Sequence, residues 1–173
     1  MTIEFLAVLV AAFSGAGIGM ILRWLSRRRL PRWIVPALAA SAMLGTAIFN
    51  EYNWFPRLRA GVPAGVVIAE APASRAPWRP WSYVWPLVEE AWLVDQRQSR
   101  RHPEVGHLVI TEVWRFARWQ GSRQMLVAFD CQAARRVEVR EGVRFTDDGT
   151  LEGGEWVSVP ADDPVLRAAC DGG

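Results

Sequence analysis

Ile3–Leu22 (IEFLAVLVAAFSGAGIGMIL) and Trp33–Asn50 (WIVPALAASAMLGTAIFN) are two apolar stretches joined by an arginine-loaded link, Arg23–Arg32 (RWLSRRRLPR). A hydrocarbon core of about 30 Å is crossed by about 20 apolar helical residues, and the first stretch supplies that length with Glu4 alone charged, at its end. The second carries no charge, and the interfacial run Glu51-Tyr52-Asn53-Trp54-Phe55 extends it. Pro36 falls within the first turn, where a proline forfeits no intrahelical hydrogen bond. The pattern predicts a membrane α-helical hairpin over residues 1–55, with spans at 3–22 and 33–52. A soluble hydrophobic hairpin is the alternative.

The hinge holds Arg23, Arg27, Arg28, Arg29 and Arg32, whereas the residues before the first span hold no arginine. Basic flanks stay in the cytoplasm, so the hinge is expected inside a bacterial inner membrane and both termini in the periplasm. Arg57 and Arg59 are a weak dissent. Trp24 and Trp33 suit one interface, Tyr52 and Trp54 the other. A cleaved signal peptide is not expected, because no basic residue precedes the apolar run, and no lipid-anchor cysteine occurs early. Small residues recur on both spans, Gly15 and Gly19 on the first and Ala37, Ser41 and Gly45 on the second. They predict close helix approach, either between the two spans or against another membrane protein.

Residues 57–173 hold fifteen arginines against sixteen acids, so no clustered basic footprint for a nucleic acid is present. All twenty basic residues are arginine, a bias of the kind a G+C-rich bacterial genome produces. The length suffices for one small domain. Residues 56–86 read as a Pro/Trp-rich linker arm: Pro56, Pro63, Pro72, Pro77, Pro80 and Pro86 surround one strand-like run, Gly65–Glu70. Residues 87–173 read as a small α+β periplasmic domain. A short helix is expected over Leu87–Gln96. An antiparallel meander follows, with strands within His107–Trp119, Gln124–Asp130, Ala134–Arg140 and Glu155–Val159. Its turns are expected at Gln120-Gly121-Ser122, Glu141-Gly142 and Asp147-Asp148-Gly149. Asp163-Pro164 forms an N-cap and first-turn pair for a terminal helix, Val165–Cys170.

The two cysteines, Cys131 and Cys170, both fall in the part assigned to the oxidising side, which predicts one disulfide rather than a redox-active pair. Phe129-Asp130-Cys131, Arg135 and Arg136, Gly149, Trp156, Val159-Pro160 and Cys170 follow in an order that resembles the surface-adhesin protein E type of domain. The resemblance covers roughly residues 105 to 171. It implies a small antiparallel sheet with a packed helix and a bridge from the strand cysteine to the terminal one. The whole layout is also similar to two-span envelope proteins of alphaproteobacteria, a likeness that implies no activity.

Chemistry-bearing motifs are few. His102 and His107 flank Glu104 in a Pro/Gly loop that reads as a solvated turn; a metal there would need further ligands from elsewhere. No nucleophile-elbow, HExxH or phosphate-loop motif occurs, so no catalytic residue and no cofactor is expected. The anomaly is tryptophan, ten in 173 residues, with Trp78, Trp81, Trp85 and Trp92 close together around Tyr83. These rings pack a core, sit at a membrane surface or anchor a protein interface. The combined expectation is a non-catalytic accessory or assembly subunit of an inner-membrane protein complex, with respiratory or photosynthetic complexes as hosts. Its partners are then that integral membrane complex and the lipid bilayer, with no nucleic acid. The alternatives are a membrane-tethered periplasmic module that binds a ligand or envelope polymer and, remotely, a metal-dependent enzyme.

Overall fold

The structure is a computed structural model that describes residues 2–103, 105–140, 144–145, 151–152 and 154–172. The chain divides after Pro56 into two compact units. In the first, α1 (Thr2–Leu25) and α2 (Ile34–Ala60) are long and apolar enough to cross a membrane, with mean hydropathies of 2.3 and 1.3 over their best windows. The second helix is longer than expected. It continues past Pro56 and takes Arg57 and Arg59 into its last turn before ending at Ala60. The hinge turns tightly: Arg27 and Arg28 both adopt left-handed backbone, at φ 51° and 61°.

Strands of the second unit are β1 (Val66–Glu70), β2 (Ala73–Ser74), β3 (Leu87–Val88), β4 (Glu90–Arg101), β5 (Leu108–Ala117), β6 (Gly121–Asp130), β7 (Arg135–Glu138), β8 (Arg144–Phe145), β9 (Leu151–Glu152) and β10 (Val157–Ser158), followed by α3 (Pro164–Asp171). A six-stranded antiparallel sheet runs β1-β4-β5-β6-β7-β10, and β2–β3 and β8–β9 form separate two-stranded ladders. The expected meander is present as β5, β6, β7 and β10. The turn into β6 uses Gly121 at φ +78°, a conformation open to glycine at no steric cost. The other two expected turns, at Glu141-Gly142 and Asp147-Asp148-Gly149, lie outside the described residues.

Two expectations are corrected. Leu87–Gln96 is not a helix; it forms β3 and the first half of β4. Trp92 and Val94 point to one face of the sheet while Ala91, Leu93 and Asp95 point to the other, and Ala91, Leu93, Val94 and Asp95 are all fully buried. Its apolar residues run without a break over Ala91–Val94, and periodicity does not separate so short a run in a strand buried on both faces from a helix. Residues 56–86 are not an extended linker either. They finish α2, supply β1 as an edge strand on β4, and then fold into a closed loop.

One face of the sheet carries the main core: Val94, Val113, Val127 and Phe129 pack against Val165, Leu166 and Ala169 of α3. Asp163 caps α3 as expected, its Oδ1 accepting from the amides of Val165 and Leu166 at 3.0 and 2.9 Å. Beyond the core contacts, the helix is pinned by Gln96 Nε2, which donates to Ala168 O, by an Arg101 guanidinium nitrogen, which donates to Cys170 O, and by the Cys131–Cys170 disulfide.

Candidate functional site

The loop between β2 and β3 is built around Ser82, which is completely buried. Its Oγ donates to Arg79 O at 2.7 Å and accepts from the Ala76 amide at 3.0 Å, drawing the single 3-10 turn Pro80–Tyr83 back onto the start of the loop. The β2–β3 ladder closes the base, and Arg79 pairs with Glu89 at 2.8 Å. Pro77, Pro80 and Pro86 stiffen the chain between these ties. The consequence is a tip on which Trp78, Tyr83, Val84 and Trp85 are 74%, 57%, 67% and 65% exposed. Trp81 is half-buried below them, with its indole N–H shut away from solvent and without a hydrogen-bond partner.

Trp92 leaves that group. It lies on β4 beside the core, with the Arg115 guanidinium 5.4 Å from its ring centre and Arg115 in turn bound to Glu90 at 2.6 Å. The ring forms one wall of a cleft of about 230 Å³ on the α3 side of the sheet. Val113, Met125, Val127, Val157 and Val165 supply further apolar walls, and Arg136 and Glu138 supply charge. The register places Arg136 opposite both Phe129 and Val157, so its side chain shares the cleft face.

At the far end of β6, Asp130 organises the turn that presents Cys131. Its Oδ1 accepts from the amides of Gln132 and Ala133, and its Oδ2 from Arg135 at 2.6 Å. Burial pushes this carboxyl up, but the Ala133 amide, Arg135 and the Gln132 amide outweigh it and hold the group below the usual carboxylate range. Arg135 also covers the Trp156 ring, 5.3 Å from its centre. Asp95 is comparable: the Arg97 guanidinium grips both carboxylate oxygens, at 2.9 and 2.7 Å, and keeps the group below its ordinary value against the cost of burial.

The two histidines do not converge on a ligand set. His102 Nδ1 accepts from the Val105 amide, and His107 Nε2 lies 4.0 Å from Asp130 Oδ1. Glu104 lies outside the described residues, and among the described residues no three His, Cys, Asp or Glu side chains cluster as a metal site.

In the hairpin, Gly15 and Gly19 are buried at the helix contact. A Cβ at Gly15 would meet Leu38 O at 2.6 Å and the Ala42 Cβ at 2.9 Å, and one at Gly19 would meet the Val35 Cα at 2.9 Å. The α2 side of that contact is therefore Val35, Leu38, Ala39 and Ala42. Ala37 is half-buried, Ser41 and Gly45 are exposed, and nothing lies within 4 Å of a Cβ at Gly45.

No protein-family model, curated protein or solved structure matches this chain. The functional reading therefore rests on its own residues. Three features escaped the sequence: the Ser82 knot, the Asp95–Arg97 grip, and the presence of Trp92 and Arg136 in the lining of one cleft. The Asp-x-Arg spacing of the second, two residues apart on one strand face, was its one legible signal.

Proposed function

We propose that this chain is a non-catalytic accessory or assembly subunit of a bacterial inner-membrane protein complex, respiratory or photosynthetic in class. In this reading the hairpin lies in the bilayer, the arginine hinge is cytoplasmic, and the disulfide domain contacts the partner from the periplasm. The observation that carries it is the aromatic tip. Trp78, Tyr83, Val84 and Trp85 stand exposed on a loop tied at its base. Trp and Tyr anchors of this kind dominate protein interfaces because they bury large area at little entropic cost. The exposed Ser41 and Gly45 side of α2 supports a second contact within the membrane, where small residues let backbones approach. The Cys131–Cys170 bond supports an oxidising compartment.

The test is purification in mild detergent at native expression, followed by mass spectrometry. The expected result is co-elution with integral membrane subunits, lost in a Trp78→Ala, Trp85→Ala double variant. A lone monomer overturns the proposal. The cleft favours a second reading, a membrane-tethered periplasmic binding module whose ligand lodges against the sheet.

A further inference from the structure

We propose that the cleft between the sheet and α3 binds a small amphipathic carboxylate, with its apolar body against Trp92, Met125 and Val157 and its carboxylate on Arg136. This deepens the binding-module reading, and it holds or fails independently of any membrane partner.

Size comes first. A dry cavity of about 150 Å³ is enough to hold benzene, so the cleft, at about 230 Å³, has room for one ring or a short branched chain and not for a long acyl tail. Its walls are the chemistry such a body needs: a flat indole, an adaptable thioether, a phenyl ring and five valines. The indole is held in place, because Arg115 covers it and is itself held by Glu90.

Charge then selects the class. Of the two charged residues that line the cleft, Glu138 is already bound by Arg140 at 2.6 Å. Arg136 is half-buried, and among the described residues its guanidinium has neither a hydrogen bond nor an ion pair. The neighbouring arginines differ, since Arg135 is committed to Asp130 and Arg115 to Glu90. A guanidinium beside an apolar pocket, with no anion of its own, presents a planar fork that a carboxylate matches with two parallel hydrogen bonds. A neutral apolar ligand would leave that cation partly desolvated and unpaired, which disfavours it.

The experiment is calorimetric titration of the full chain in lipid nanodiscs with sodium phenylacetate, empty nanodiscs serving as the blank and phenylacetamide as the uncharged counterpart. The expected result is saturable one-to-one binding of phenylacetate. Arg136→Gln should weaken it at least tenfold, while phenylacetamide binds more weakly and is indifferent to that substitution. Val157→Trp, at an exposed position on the rim, should block both compounds. Unfolding midpoints of the two variants check that the domain is intact. Absence of saturable phenylacetate binding up to millimolar concentration overturns the proposal, as does equal affinity in Arg136→Gln. Either result leaves the subunit reading standing, whereas a lone monomer in detergent would remove that reading and leave the cleft.

Discussion

The helical hairpin and the sheet domain are both rich in apolar side chains but direct them oppositely. Along α1, Ile3, Phe5, Phe13 and Ile21 face outward, and α2 buries no residue at all. In the domain, Leu93, Val94, Val109, Val113 and Phe129 are almost completely enclosed, and the buried polar groups Ser82, Asp95, Thr111 and Asp130 each have a hydrogen-bond partner. The domain completes its own core. The hairpin closes one glycine seam and leaves the rest of its apolar surface exposed, so its two helices are hydrophobic nearly all round.

Three changes sharpen that contrast. The largest effect is expected from Cys131→Ser with Cys170→Ser, which releases a loop of about 40 residues. By the chain-entropy relation it should destabilise the domain by up to ~4 kcal/mol, read as a lower denaturant midpoint for the sheet signal with the helical hairpin signal retained. Simultaneous loss of both signals would show that the two units do not unfold separately. Next, Gly15→Leu should force the helices apart at a cost of about 1–3 kcal/mol, seen as reduced crosslinking between cysteines placed at Ala12 and Ala42. Gly45→Leu should leave that crosslink unchanged, because nothing lies within 4 Å of a Cβ placed there.

The smallest effect concerns pH. Asp95 and Asp130 have folded pKa values below their unfolded ones, so their stabilisation is complete above the unfolded value of about 3.8 and disappears as pH falls through the folded values. The domain's denaturant midpoint should therefore hold above the unfolded value and drop as pH falls below it toward the folded values. Asp95→Asn should flatten that drop while lowering the midpoint at neutral pH. An unchanged slope would show that Asp95 titrates alike in the folded and unfolded chain.

Much of the architecture was legible because local chemistry dictates it. Apolar runs of sufficient length give the two helices, Asp163-Pro164 opens α3, and strand-period segments give β5 and β6. What was illegible depends on tertiary partners. Leu87–Gln96 becomes a strand only because both of its faces are covered, and nothing within the segment announces that. The α2 seam uses Val35, Leu38, Ala39 and Ala42 rather than the Ala37-Ser41-Gly45 spacing. Alanines surround that helix, so composition alone does not select a face. The loop over Pro72–Pro86 reads as linker by its prolines; its fold hangs on one serine hydroxyl whose acceptor and donor lie three and six residues earlier. In the site, Trp92 and Arg136 are far apart in sequence and reach the lining of one cleft only through the register of four strands.

The docking of α3 also has a kinetic side. Its ties reach 72 residues back to Gln96 and 69 back to Arg101, and it covers β1, β4, β5 and β6 at once. Contacts of such separation form late, since the loop they close must be ordered before they contribute anything. Until then the row Val94, Val113, Val127 and Phe129 is an open apolar surface, prone to the wrong company. Joining Cys131 to Cys170 takes two protons and two electrons from the pair to an external thiol oxidant and brings the two Cα atoms to 5.9 Å, the spacing they have with α3 seated on that row. Formation of the bond therefore marks the moment when the sheet stops being sticky.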